Sequence, residues 1–586
     1  MNVHLRAAPF NLSDEQVEWV DSTLAGMTVE AKVGQLFCAS VGGFSAKAIR
    51  HLCKDVAVGG VMFRAMAASK VRESAERLQA SSDIPLLLAA NLESGGNGIA
   101  SDGTYFAMPS GVAATRDPRN GYRLGKIACS EAAAVGVNWS FAPIVDVDVN
   151  YRNPITNVRT FGADPDLVAE MSLGYLAAAQ EEGVAASLKH FPGDGVDERD
   201  QHLLVSVNSL PAVDWWNSFG DVYSRLIAAG APTVMAGHIA LPSVAREIDP
   251  TISDEDALLP GSLSTVLLDG LLRERLGFNG LVVTDSTLMV GFMQVMSRRR
   301  AVPLAIERGC DMILFSRNLD EDYAYALDGV RDGLLSKERL DEAVTRILAL
   351  KASLDLPSKK ARGRIVPPAT ELSRIASEES KAWTRECADK AITLVKDRRA
   401  MLPLDAARGR RVYLNVIENF AKNNSTFARD IKARLEREGF EVTLRKRKLD
   451  FDPDRAFKGG LPNLALLRIM REVSANTEAF VSQFDLCVIV LNMETVSNAT
   501  VVRVDWKVMF GLGNDIPWYA GELPLLAIST ANPYHLLDVP MAHAYINAYS
   551  NNGPTLDALF DKVMGRSEFM GVAPSDAFCG HEDCAL

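Results

Sequence analysis

Through the first 350 residues the chain alternates short apolar runs with longer amphipathic or alanine-rich stretches. The runs are Gln35–Val41, Gly60–Phe63, Pro85–Asn91, Asn138–Val147, Ala185–Phe191, Pro232–His238, Gly280–Asp285 and Cys310–Phe315, each four to ten residues long. Nearly unbroken apolar stretches of that length predict parallel strands buried on both faces. Between them lie helix-like segments such as Ser69–Ala80, Leu167–Glu182 and Ser264–Leu276, the last with Ser264 as an N-cap ahead of a leucine-rich run. Eight such βα units in about 300 residues match a TIM-type barrel. Periodicity does not show closure, so an open doubly wound sheet is the alternative. Asp341–Leu356 reads as a closing helix and Pro357–Pro368 as a connector. A second unit follows, with a helix over Glu371–Lys390 and strands at Ala391–Lys396, Arg411–Val416, Phe440–Leu444, Phe484–Leu491, Leu523–Ser529 and Ala544–Tyr549; Phe427–Glu438 reads as a helix between two of them. The expected organisation is an α/β chain: a (β/α)8 barrel over 1–356, a linker over 357–370, and a C-terminal α/β sandwich over 371–586, with no internal repeat.

The polar residues that close these runs are informative. Asn91, Asp146, Lys189, His190, His238 and Asp285 all fall at the C-terminal ends of predicted strands, which in a barrel line one mouth, where active sites are built. Six such residues, on five strand ends of one rim, point to a convergent polar site. The remaining features narrow the function. A net charge of −12 over 586 residues leaves no basic excess for nucleic acid or an anionic membrane. The basic clusters Arg298–Arg300 and Arg445–Lys448 are short and read as solvated faces. No run reaches the length of a bilayer span, and the first twenty residues lack a charged-then-apolar leader. The eight cysteines are scattered, several inside apolar runs, as reduced core cysteines are. The tail Cys579-Gly-His581-Glu-Asp-Cys584 lacks the paired spacing of a metal site. A cytoplasmic location is expected, with no metal and no cofactor.

The segment Ser187-Leu-Lys189-His190-Phe-Pro-Gly193-Asp194-Gly195 runs from a strand into a Gly-Pro loop and on to Asp200-Gln201-His202. Lys189 and His190 can donate to the hydroxyls of a polar ligand. Asp200 and His202, two apart, can pair so that the carboxylate fixes one ring nitrogen and frees the other for proton transfer. Asp285, after Leu281-Val-Val-Thr284, is on its own terms a nucleophile, a metal ligand or a cap.

The blocks Lys189-His-Phe-Pro-Gly-Asp-Gly195 and Asp200-Gln-His202 resemble the signature loop of the β-N-acetylglucosaminidases of glycoside hydrolase family three. Gly136-Val-Asn-Trp-Ser-Phe-Ala-Pro-Ile-Val-Asp146, Asn157-Val-Arg159-Thr-Phe-Gly162, Leu276-Gly-Phe-Asn-Gly-Leu-Val-Val-Thr-Asp285 and Ala388–Lys396 followed by Leu402-Pro-Leu404 agree in order and spacing. The similarity is strong in the first half and weak after about residue 410. It implies Asp285 as nucleophile, His202 as acid/base oriented by Asp200, and Arg159, Lys189 and His190 as holders of the terminal sugar, in a retaining, exo-acting β-N-acetylhexosaminidase without a cofactor. The chain departs from the pattern in Ala89-Ala-Asn91-Leu-Glu93-Ser-Gly95-Gly96-Asn97-Gly98-Ile99. Asn91 stands where the family has Asp, as a weaker sugar ligand, and Asn97 and Ile99 fill the place of an arginine pair. Asp194 stands where the family commonly has His. The partner expected is a small amino-sugar glycoside. A phosphorylase or transglycosylase on the same chemistry, and a non-catalytic sugar-binding protein, are the competing readings. The second unit is expected either to complete the binding cleft or to make a homodimer contact.

Overall fold

A computed structural model describes residues 3–586 except 41–42, 420–424, 446–475, 494–496, 499, 505 and 507–515. The chain divides into two compact units, Met1–Cys387 with Val496–Thr500, and Ala388–Thr495 with Val501–Leu586.

The first unit is a closed barrel of eight parallel strands, β1 (Phe37–Ser40), β2 (Gly60–Met62), β3 (Leu87–Ala90), β4 (Trp139–Ser140), β5 (Ala185–Phe191), β6 (Thr233–Ala236), β7 (Leu281–Ser286) and β8 (Met312–Leu314), with β8 pairing β1. Closure removes the doubly wound alternative. Val61, Leu88, Leu188, Val234 and Val282 are fully buried, as strands covered by helices outside and side chains inside must be. Each run expected as a strand supplies one. The Gln35–Val41 run does so over Phe37–Ser40, residue 41 lying outside the described residues.

The long run Asn138–Val147 is the exception in length: only two residues pair as a strand. Phe141 N–H still reaches the Ala90 carbonyl and the Ala142 carbonyl accepts the Ser187 N–H, each at 2.9 Å, but Pro143 has no N–H to give a ladder, so the chain leaves the sheet there and touches it again through Val145 N–H to the Lys189 carbonyl at 2.8 Å. Asp146 thus lies on a loop. The expected solvated face at Arg298–Arg300 holds for Arg299 and Arg300, which are exposed, and is corrected for Arg298. Arg298 turns inward, its guanidinium donating to both carboxylate oxygens of the buried Asp322 at 2.6 Å and to the Thr287 carbonyl at 2.9 Å. Residues 446–448 of the other basic cluster lie outside the described residues.

The second unit is a six-stranded sheet. Its strands β9 (Thr393–Asp397), β10 (Arg411–Glu418), β11 (Glu441–Leu444), β12 (Leu486–Asn492), β13 (Leu525–Ser529) and β14 (Ala544–Asn547) lie in the order β9-β14-β13-β12-β10-β11. Only the β9–β14 pair is antiparallel. Ile431 and Leu435 of helix Thr426–Arg437 pack with Leu556 and Leu559 of helix Gly553–Val563 on one face of the sheet, while Tyr519 and Leu536 pack on the other. This is an α/β sandwich.

Candidate active site

Asp285 is the last residue but one of β7 and points into the C-terminal mouth of the barrel. Its Oδ1 accepts the Ser286 N–H at 2.6 Å, and its Oδ2 lies 3.9 Å from Nε2 of His190. Burial pushes its carboxyl up, but the imidazoles of His190, His238 and His202 outweigh this and hold it below the usual carboxylate range. Asp285 is therefore an ionised, poorly solvated carboxylate, the state a nucleophile needs. His238, after β6, is pushed below its ordinary value by burial. Its Nδ1 meets Ser262 Oγ at 2.9 Å and its Nε2 meets the Ser286 carbonyl at 3.0 Å. A carbonyl only accepts, so Nε2 carries the proton and Nδ1 takes the Ser262 hydroxyl. His238 braces the end of β7.

One strand beyond β6, Lys189 and His190 lie at the end of β5. His190 Nδ1 donates to Asp146 Oδ2 at 2.7 Å and its backbone N–H to Asp146 Oδ1 at 3.0 Å, so Asp146 fixes both ring and main chain. Lys189 Nζ donates to Glu93 Oε1 at 2.6 Å and reaches Asn91 Oδ1 at 3.4 Å. Arg159 forks onto the same carboxylate, Nε to Oε2 at 3.0 Å and Nη2 to Oε1 at 2.9 Å. Burial pushes the Glu93 carboxyl up, but Arg159 and Lys189 hold it far below the usual range.

The third part is the arm after β5. The Asp200 carboxylate takes the His202 ring Nδ1–H at 2.7 Å and the His202 backbone N–H at 2.8 Å on Oδ1. Its Oδ2 takes the backbone N–H of Asn498 at 2.6 Å. Burial pushes the Asp200 carboxyl up, yet these bonds and the imidazole leave it below its ordinary value. The Asp200 side chain is fully buried and that of His202 is 25% exposed, and Nε2 of His202 has no partner among the described residues. The ring is therefore oriented by one nitrogen and open at the other. The arm is seated by Val290 N–H to the His202 carbonyl at 2.9 Å. A Cβ on Gly291 would stand 2.4 Å from the Gln201 carbonyl oxygen, so only glycine lets the arm lie this close to the chain after β7.

Arg159, Lys189, His190, Asn91, Asp200, His202 and Asp285 are thus all in the barrel unit. Arg159 and Lys189 meet on Glu93, with Asn91 reached by Lys189, while His190 faces Asp285. Ile99 is fully buried and joins the core. Glu93, Gln201 and Asn498 went without a role in the sequence. Glu93 stands in a Gly-rich block beside the Asn91 departure. A lone acidic residue there, with two unpaired cations proposed for the same mouth, is the signal that could have found it.

The chain matches the family model described as "Glycosyl hydrolase family 3 N terminal domain" over residues 28–350. A relative from Cellulomonas fimi named "Beta-N-acetylglucosaminidase/beta-glucosidase" is 42% identical across 100% of both chains. A solved structure described as "Beta-glucoside phosphorylase BglX bound to 2FGlc" has a TM-score of 0.90 and 42% identity, covering 98% of this chain and 99% of that one. A family 3 β-N-acetylglucosaminidase from Paenibacillus sp. shares the fold, with a TM-score of 0.75 and 24% identity over 94% of this chain and 99% of that one. Matched by the family model over more than half its length and by a full-length relative at 42% identity, the chain belongs to glycosyl hydrolase family 3 and is a glycoside-cleaving enzyme.

Proposed function

We propose that the chain removes terminal β-linked N-acetylglucosamine-type residues, and β-glucose more weakly, by double displacement. A carboxylate of Asp285 attacks the anomeric carbon as the bond to the leaving oxygen breaks, and His202 Nε2–H protonates that oxygen. The resulting glycosyl ester on Asp285 is cleaved by an acceptor whose proton returns to His202, which restores the β configuration. Arg159, Lys189, His190 and Asn91 hold the terminal ring. The observation that carries this reading is the oriented imidazole of the Asp200–His202 pair in a mouth whose other functional end is the ionised Asp285. Sugar binding alone needs neither. A 2-fluoro glycosyl donor is expected to add its sugar mass at Asp285 and to leave Asp285→Ala unlabelled. Full turnover of an aryl β-N-acetylglucosaminide by that variant would remove the nucleophile assignment.

A second reading concerns the acceptor. The proton-transfer group offers an imidazole to the incoming molecule, while its carboxylate, Asp200, is fully buried behind the ring. An anion entering from that side meets no exposed carboxylate from this pair, so inorganic phosphate can take the place of water. The 42% identity to a structure described as a β-glucoside phosphorylase supports the same acceptor. Aryl β-glycosides of N-acetylglucosamine and glucose, turned over with and without phosphate, separate the two outcomes. A sugar 1-phosphate product marks phosphorolysis, and unchanged free sugar in both arms discards it.

A further inference from the structure

Asp194 touches none of the reacting atoms, yet it is 1% exposed and sits where three elements meet. Its Oδ1 accepts Asn153 Nδ2 at 2.7 Å and the Gly195 N–H at 2.8 Å, and its Oδ2 accepts Gln201 Nε2 at 3.1 Å. Both amides are oriented by their other partners. Gln201 Oε1 takes the His238 N–H at 2.8 Å, and Asn153 Oδ1 takes the N–H groups of Ile155 and Thr156. Each therefore presents its NH2 to Asp194. Gln201 lies between Asp200 and His202 in the chain, so its amide pins the proton-transfer arm to Asp194 on one side and to the end of β6 on the other. The loop root at Gly195 is equally fixed: its φ is +108° and a Cβ would stand 2.1 Å from the Val147 carbonyl oxygen.

We propose that Asp194 is a positioning residue that holds the Asp200–His202 arm over the sugar site by gripping Gln201, and that it does so only as the carboxylate. Every group on its oxygens is a donor, so a proton there would face a donor and one of the three bonds would be lost. The charged groups that face it are Asp146, whose Oδ1 takes the Asp194 backbone N–H at 2.8 Å, and His190 on β5. Burial, then the Asp146 carboxylate, push Asp194 up to about 6, while Asp285 is held below the ordinary carboxylate value. A loss of activity as pH falls through 6 thus belongs to the arm and not to the nucleophile.

This inference rests on His202 as the proton donor, and the test judges the two apart. The quantity is kcat/KM, which reports the first half-reaction, for an alkyl aglycone that must be protonated and a 2,4-dinitrophenyl aglycone that need not be. His202→Ala is expected to lose about 100-fold or more on the alkyl substrate and little on the dinitrophenyl one. Asp194→Asn is expected to lose about tenfold on the alkyl substrate, to stay within about twofold on the other, and to lack the fall below pH 6 that the wild type shows only with the alkyl aglycone. Gln201→Met, which removes the grip but keeps the carboxylate, is expected to repeat the selective loss, and serves alone if Asp194→Asn does not fold. Equal losses on both substrates in these variants, no loss, or a retained acid limb would overturn the positioning role while a selective His202→Ala leaves the proton donor standing. An unselective His202→Ala would remove the proton donor and this inference with it.

Discussion

Under the proposed function, Glu93 sets the charge that the sugar would meet. Arg159 and Lys189 would by themselves place two positive charges on one wall of a partly buried mouth. Glu93 takes a forked pair of bonds from the first and a 2.6 Å bond from the second, leaving one net positive charge and fixing where each head group can reach. That suits neutral hydroxyls, which need aimed donors more than they need field. Glu93→Gln is expected to raise KM for an aryl β-N-acetylglucosaminide about tenfold with kcat changed much less, because uniform binding is lost and the reacting groups are untouched. Steady-state kinetics at one pH checks it; a fall in kcat at constant KM would place Glu93 in the chemistry instead. Asp200 acts on a different quantity. An amide at 200 carries no charge to stabilise the imidazolium that donates from Nε2, and its NH2 can turn toward Nδ1 of His202, which leaves the ring neutral and a poor acid. Asp200→Asn is therefore expected to cost about 100-fold in kcat/KM for poorly leaving aglycones, with the folded state intact by circular dichroism.

At the scale of elements, the barrel was legible because its strands are buried on both faces. β5 coincides with the apolar run Ala185–Phe191 to the residue, and the six strands of the second unit fall on the six predicted runs. The β4 run misled because apolar content marks burial, not pairing, and Pro143 ends pairing while the chain stays buried. Arg298 misled because three adjacent arginines read as surface until Asp322, on the helix Leu319–Asp332, supplies an inward partner. The residues around the site were legible as types at strand ends, but their partnerships were not. Glu93 finds Arg159 66 residues away and Lys189 96 residues away, and no local period encodes such a pairing. A similar long-range contact sets a stability effect. Lys351, on the closing helix Lys337–Ser353, is fully buried with its ammonium on Gln35 Oε1 at 2.6 Å. Burial depresses its pKa from an ordinary 10.5 to about 7. Between those values the unfolded chain holds the proton and the folded chain does not, so stability rises with pH across that window; below 7 both states hold it, and the full cost of burying the charge is present. Compared with Lys351→Met, the wild type is expected to gain about 2 kcal/mol from pH 7 to pH 9, read from denaturant unfolding of the two proteins side by side. Parallel pH curves would show that the ammonium is solvated in the folded protein.

At the scale of the whole molecule, the chain leaves its second unit once to serve the first. Val496–Thr500 counts with the barrel, and Asn498, 298 residues beyond Asp200, gives its backbone N–H to the Asp200 oxygen that the imidazole leaves free. Asn498 has a φ of +69°, a conformation asparagine tolerates better than most residues. In the proposed mechanism the segment would contribute a main-chain donor, so side-chain chemistry at 498 should matter little and the N–H should matter much. A carboxylate with one oxygen unpaired in a buried site is less stable, and its hold on the ring is looser; hydrogen bonds to charged groups are worth about 1.5–3 kcal/mol. Asn498→Pro deletes the N–H and forbids the positive φ, and is expected to lower kcat/KM for an alkyl aglycone at least about tenfold while sparing a dinitrophenyl one. Asn498→Gly keeps both the donor and the backbone angle and is expected to stay within about twofold of the wild type on either substrate. If the glycine and proline variants behave alike, the segment acts through its side chain or not at all, and Asp200 is held by the His202 contacts alone.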